Sequence, residues 1–203
     1  MALPHTTHRL TETEYLALER AAVGVKSEFY DGEMFAMSGA TRGHSRISTN
    51  LAAEFTRKLA GHRCQPFNAD LRVKIEASGL YTYPDLSVVC GEDQHVDEEQ
   101  DNLTNPTLIV EVLSPSTENY DRGRKFEHYR QIPSLKEYLL VSQDQPRIEQ
   151  FIRQSNQWVL RDAVGLKTKL VLPSLKISLS LAAVFRGVKF PPAELRHDSP
   201  RRP

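Results

Sequence analysis

The sequence predicts a single α/β domain whose mixed β-sheet is flanked by helices. Three observations carry this expectation. The runs Leu86 to Val89, Leu108 to Leu113 and Tyr138 to Val141 are apolar at nearly every position, the pattern of strands covered on both faces. A helical segment, Asn119 to Gln131, separates the last two runs and is stopped by Pro133, so a strand–helix–strand crossover with parallel pairing is expected. Ile47, Leu51, Phe55 and Leu59 recur at every fourth position and lay an apolar stripe along a helix that can pack on the sheet.

In chain order, Thr11-x-x-Glu14 has the pattern of a capping box. The hydroxyl and the carboxylate each satisfy a free backbone amide, and a helix is predicted from there to about Ala22, with Tyr15 and Leu18 as apolar anchors. Ser27 to Met37 contains a pair of short β-compatible runs around Asp31-Gly32, a dipeptide that tolerates the positive φ angles of a tight hairpin. The helix carrying Ile47 should end at Gly61. Leu71 to Ile75 alternates by side and is expected to join the three buried runs in one sheet. Beyond Val141, Arg147 to Arg153 and Gln157 to Arg161 flank Ser155-Asn156 as a second hairpin, and Leu170 to Leu172 follows as additional β-structure. From Pro191 onward apolar residues are too few to offset the entropy of ordering, so residues 1–190 are assigned to the domain and 191–203 to a disordered tail.

Composition narrows the function classes. The 26 Lys and Arg balance the 26 Asp and Glu, so any site for a polyanion must be local rather than a property of the whole surface. Cys64 and Cys90 are too few for a disulfide framework and lack zinc-site spacing, which fits a reducing cytoplasm. No apolar run approaches membrane-spanning length and no secretory leader is evident, so a cytoplasmic protein without a membrane partner is expected. Walker, Gly-x-Ser-x-Gly and His-Glu-x-x-His motifs are lacking, which lowers the expectation of NTP hydrolysis, serine esterase or zinc protease chemistry.

The chemistry is expected at Asp85 and Glu111. Glu111 interrupts an apolar strand, where an unpaired carboxylate is heavily penalised, and Asp85 stands at the mouth of a neighbouring strand. Mg²⁺ or Mn²⁺ takes oxygen ligands and commonly only one or two protein carboxylates, so Asp85 and Glu111 are the candidate metal ligands. Asp121, Lys125 and Tyr129 are spaced i, i+4, i+8 and share one helix face that can turn toward Glu111, which makes Lys125 the candidate cationic group. Arg122, Arg124, Lys125, His128 and Arg130 form a basic cluster suited to DNA phosphates.

Pro84-Asp85 and Glu111 resemble the motif of the PD-(D/E)XK nuclease superfamily, although Leu113 stands where that motif has lysine. More closely, Asp31-Gly32-Glu33, His44, Tyr83-Pro84-Asp85-Leu86, Val110 to Thr117, Asp121, Lys125 and Tyr129 resemble the Uma family of restriction-endonuclease-like proteins, over about Thr11 to Val141. The resemblance implies a restriction-endonuclease-like fold and a metal-dependent endonuclease that hydrolyses DNA phosphodiesters. In it, Lys125 replaces the motif lysine, Glu28 and His44 orient a carboxylate or contact substrate, and a homodimer is expected. The alternative is a non-catalytic nucleic-acid-binding or assembly module on the same fold, favoured by Leu113. A metal-free structural domain with a buried Glu111–Lys125 ion pair is a third possibility.

Overall fold

The computed structural model describes residues 9–37 and 39–192, so most of the segment assigned to a tail lies outside the described residues. Helix α1 (Glu12–Ala21) starts at Thr11 with the expected capping box. The hairpin follows as β1 (Ser27–Tyr30) and β2 (Glu33–Ala36), turned by Asp31 at φ 50° and Gly32 at φ 81°. Helix α2 (Arg42–Leu59) buries Ile47, Leu51, Phe55 and Leu59, and Gly61 beyond it has φ 79°.

The sheet under α2 is built from β3 (Cys64–Asn68), β6 (Leu86–Cys90), β8 (Leu108–Val112), β9 (Glu137–Val141), β10 (Arg147–Gln154) and β11 (Gln157–Val164). Its order is β11-β10-β9-β8-β6-β3. The predicted crossover makes β8 and β9 parallel, with Leu108 opposite Glu137 and Val112 opposite Val141, whereas β6 pairs antiparallel with β8. Both faces are covered, as the unbroken apolar runs require. Val88, Val110, Val112, Leu139 and Val141 pack with α2, while Val89, Ile109, Tyr138 and Leu140 pack on the opposite side.

A second sheet, ordered β2-β1-β5-β4-β7, includes β4 (Arg72–Ile75), β5 (Leu80–Thr82) and β7 (Asn102–Leu103). Here the structure corrects the expectation that Leu71 to Ile75 joins the buried runs. A tight turn ending at Gly79 folds β4 back onto β5, with Ile75 opposite Leu80, and these short strands share the core beneath Ile109 and Leu140. The second hairpin forms as predicted, and β12 (Lys169–Leu172) finds a partner in β13 (Ile177–Ser180), followed by α5 (Leu181–Val184).

The cysteines also depart from expectation. Register places Cys64 of β3 directly opposite Cys90 of β6, and the residues form a disulfide. Cysteine usage therefore gives no support for a reducing compartment. Among the described residues, no helix is long and apolar enough to cross a membrane.

Candidate active site

The crossover from β8 to β9 is a helical stretch with a widened middle. It comprises α3 (Glu118–Tyr120), a π-helical turn (Asp121–Lys125) and α4 (Phe126–Tyr129). Phe126 and Tyr129 are buried against Tyr138 of β9, which anchors the end of the stretch, and Asp121 and Lys125 lie at either end of the π turn. Both turn inward: the Lys125 side chain is 6% exposed and that of Asp121 is 5% exposed. This combination allows a charged face to meet Glu111, which itself lies in β8 and is 4% exposed.

Lys125 Nζ lies 2.9 Å from Glu111 Oε1, 3.0 Å from Glu28 Oε1 and 3.7 Å from Asp121 Oδ1. The Tyr129 hydroxyl donates to Glu111 Oε1 at 2.7 Å. Glu28, carried by β1, also accepts from the Thr82 hydroxyl at the end of β5, so the second sheet contributes one carboxylate to the cluster. Asp85, immediately before β6, is held differently. Its Oδ2 accepts from the Val112 amide at 2.7 Å, and its Oδ1 lies 3.1 Å from His44 Nε2 on α2.

Thus Asp85, Glu111, Lys125, Glu28, His44, Asp121 and Tyr129 converge where β6 begins and β8 ends. The basic pair does not. Arg122 is tied to Glu118 at 2.7 Å and to Glu149, and Arg124 is exposed on the outward side of the π turn. Residues not singled out in the sequence also shape the site: Thr82 holds Glu28, the Val112 amide holds Asp85, and Thr41 caps α2 by accepting from the His44 amide at 3.1 Å. A Thr-x-x-His cap was readable at positions 41–44; the other contacts depend on neighbours distant in sequence.

Electrostatics follow from this crowding. Burial pushes the Glu111 carboxyl up to about 8, opposed by Lys125 and reinforced by Asp121 and Asp85. Burial likewise raises Asp121, with Lys125 acting against it. For Lys125 burial disfavours the charge, but Glu111, Glu28 and Asp121 outweigh it and hold the ammonium well above the ordinary lysine range. Burial works against the His44 imidazolium too, and Asp85 more than compensates, so its pKa is raised.

The cluster gathers more carboxylates than Lys125 and His44 can balance, although burial is the first reason that the Glu111 carboxyl is raised, ahead of the Asp121 and Asp85 charges. Its donors are hard oxygens, which fit Mg²⁺ or Mn²⁺. Among the described residues no group of three or more His, Cys, Asp and Glu forms a ready ligand set. An ion held here would therefore rely on Asp85 and Glu111 with water, the sparse protein ligation usual for Mg²⁺.

The α/β core thus sets Asp85 and Glu111 from adjacent strands against a lysine from the crossover. The chain belongs to the Uma2 family, described as "putative restriction endonuclease", whose profile matches residues 13–183. It is 37% identical to the uncharacterized protein sll1609 of Synechocystis sp. over 178 residues, covering 87% of this chain and 100% of that protein. A second uncharacterized Synechocystis protein, slr1290, is 37% identical over 183 residues, covering 90% of this chain and 94% of the relative. The fold matches the crystal structure of a putative nuclease belonging to DUF820 from Anabaena variabilis, with a TM-score of 0.68 and 18% identity, covering 85% of this chain and 96% of that one.

Proposed function

We propose that the protein is a Mg²⁺- or Mn²⁺-dependent endonuclease that hydrolyses DNA phosphodiester bonds. The observation that carries this reading is the 2.9 Å approach of Lys125 to Glu111, which supplies an ammonium beside the candidate metal ligands where Leu113 cannot. Asp85 and Glu111 would hold the cation. When bound, it supplies charge neutralisation for the phosphate and acidifies a water nucleophile. Lys125 keeps its proton, orients the attacking water and offers Nζ–H to the negative charge that develops on phosphate oxygen. Tyr129 and the Val112 amide hold Glu111 and Asp85 in place, which removes reorganisation from the reacting geometry.

The DNA backbone is assigned to the outward face of α2. Arg42, Ser45, Arg46 and Thr49 line a shallow depression there, and neither arginine has an ion-pair partner among the described residues. Arg122 is engaged by Glu118 and Glu149 and is less available. Loss of both α2 arginines should weaken DNA binding uniformly across sequences and flatten the dependence of log K on log salt by roughly 1–2. A homodimer, which would present a pair of sites to opposite strands, completes the proposal and is tested by sedimentation at micromolar concentration.

The decisive assay follows plasmid and oligonucleotide cleavage with Mg²⁺ or Mn²⁺. Lys125→Ala is expected to slow cleavage by about 10²–10³-fold. Asp85→Ala and Glu111→Ala should abolish Mn²⁺ binding by calorimetry. Undiminished Mn²⁺ binding in either carboxylate variant would contradict the metal assignment, and metal-independent DNA binding without cleavage would favour the non-catalytic module.

A further inference from the structure

Gln143 lies just beyond β9, outside the carboxylate–lysine cluster, yet its amide joins the ends of elements that carry the cluster. Its Nε2 donates to the Leu113 carbonyl at 2.6 Å, and its Oε1 accepts from the Thr41 hydroxyl at 2.6 Å. Since a carbonyl only accepts, the amide has one orientation that satisfies both partners. The Thr41 oxygen in turn accepts from the His44 amide at 3.1 Å, so it is used on both sides. From the His44 ring the path reaches Asp85 Oδ1 at 3.1 Å, and Asp85 Oδ2 accepts from Val112 at 2.7 Å. Val112 precedes Leu113, so the circuit closes.

We infer that Gln143 is a positioning residue that sets the His44–Asp85 contact by locking the first turn of α2 to the end of β8. Each member of the ring is fixed by both neighbours. A shift of α2 relative to β8 would have to break the Gln143 bridge as well as the path that runs from His44 through Asp85 to Val112. The fit at the bolt is close: a Cβ added to Gly43 would lie 3.2 Å from Gln143 Oε1, so α2 carries its smallest residue where it passes the amide. The functional consequence rests on the proposed nuclease reading, in which Asp85 is a metal ligand. The positioning itself does not.

The test uses the full-length, metal-free protein and imidazole ¹⁵N NMR of His44 above its titration range. In the native protein His44 should hold its proton on Nε2, facing Asp85, with slowed exchange. Gln143→Met keeps the side-chain length and removes both hydrogen bonds. It should shift His44 toward a mixture of tautomers and speed exchange of the ring proton by at least about tenfold, as expected when a buried hydrogen bond opens locally. Gln143→Ala should do the same. Ser134→Ala removes a side-chain bond to the Pro106 carbonyl, 2.9 Å long, at the opposite end of β8 and β9, and should leave the His44 signal unchanged.

An unchanged His44 signal in both Gln143 variants overturns the inference, as does an equal change in Ser134→Ala or a native protein lacking the Nε2-bound proton. Cleavage assays run alongside separate the two proposals. A His44 signal lost in Gln143→Met, with no metal-stimulated cleavage by the native protein, would support the positioning role and sink the nuclease reading. Cleavage by the native protein with His44 unaffected by either variant would do the reverse.

Discussion

Glu111 sits where burial and charge meet, and its titration should be visible in the stability of the whole protein. Its carboxyl rises from 4.5 to about 8 because burial and the Asp121 and Asp85 charges outweigh Lys125. The folded protein therefore keeps this proton at pH values where the unfolded chain has released it. The resulting stabilisation is fully present below the unfolded value of 4.5 and is lost as pH rises through about 8. His44 and Asp121, also raised, act in the same direction. The melting temperature of the metal-free protein should fall across this window, and Glu111→Gln should flatten the decline, as thermal unfolding followed by circular dichroism at several pH values would show. At ~1.4 kcal/mol per pH unit the effect amounts to a few kcal/mol. Added Mg²⁺ or Mn²⁺ should raise the melting temperature most at the alkaline end, because binding favours the ionised carboxylates. A flat native profile would remove the electrostatic argument for a cation site.

The crossover helix shows how an element can carry a polar face into an apolar interior. Phe126 and Tyr129 anchor its end in the core, and the π turn adds a residue ahead of them while keeping Asp121 and Lys125 turned inward. Gly123 lies in that turn, and a Cβ there would meet nothing within 4 Å. Gly123→Ala should therefore stabilise the protein by roughly 0.5–1 kcal/mol through helix propensity. Thermal unfolding of the variant checks the gain, and calorimetry should find its Mn²⁺ affinity retained, since the added methyl group meets none of the cluster residues.

Across the whole molecule, the site lies between layers that each contribute part of it: α2 gives His44, the central sheet gives Asp85 and Glu111, the second sheet gives Glu28, and the crossover gives Lys125. The Cys64–Cys90 disulfide ties edge strand β3 to β6, the strand that begins next to Asp85. Chain entropy for its separation of 26 residues gives about 3.5 kcal/mol of stabilisation. Reduction, or a Cys64→Ser/Cys90→Ser double variant, should lower the denaturant midpoint accordingly. Metal affinity should change much less, since neither proposed ligand, Asp85 or Glu111, lies on β3. Equal midpoints for the oxidised and reduced protein would contradict this assignment.

The layers differ in how legible they were. The capping box of α1, the Asp31-Gly32 hairpin, the α2 stripe and the parallel crossover were readable because each depends on residues close in sequence or on periodic burial. The rest of the second sheet was not, because β5 and β7 are too short to show a period and gain their stability from partners far along the chain. The cysteines were misjudged for the same reason: only the β3–β6 register brings them together.

By itself, the sequence determined which residues could carry the chemistry, since a carboxylate inside an apolar strand and a lysine on the helix that follows it are local facts. Tertiary structure decided what surrounds them: that Lys125 reaches Glu111 and Glu28, that Arg122 is engaged elsewhere, and that Gln143 joins α2 to β8 beside Asp85. Those relations depend on side-chain length, burial and strand register across wide sequence separations, where no periodic signal reaches.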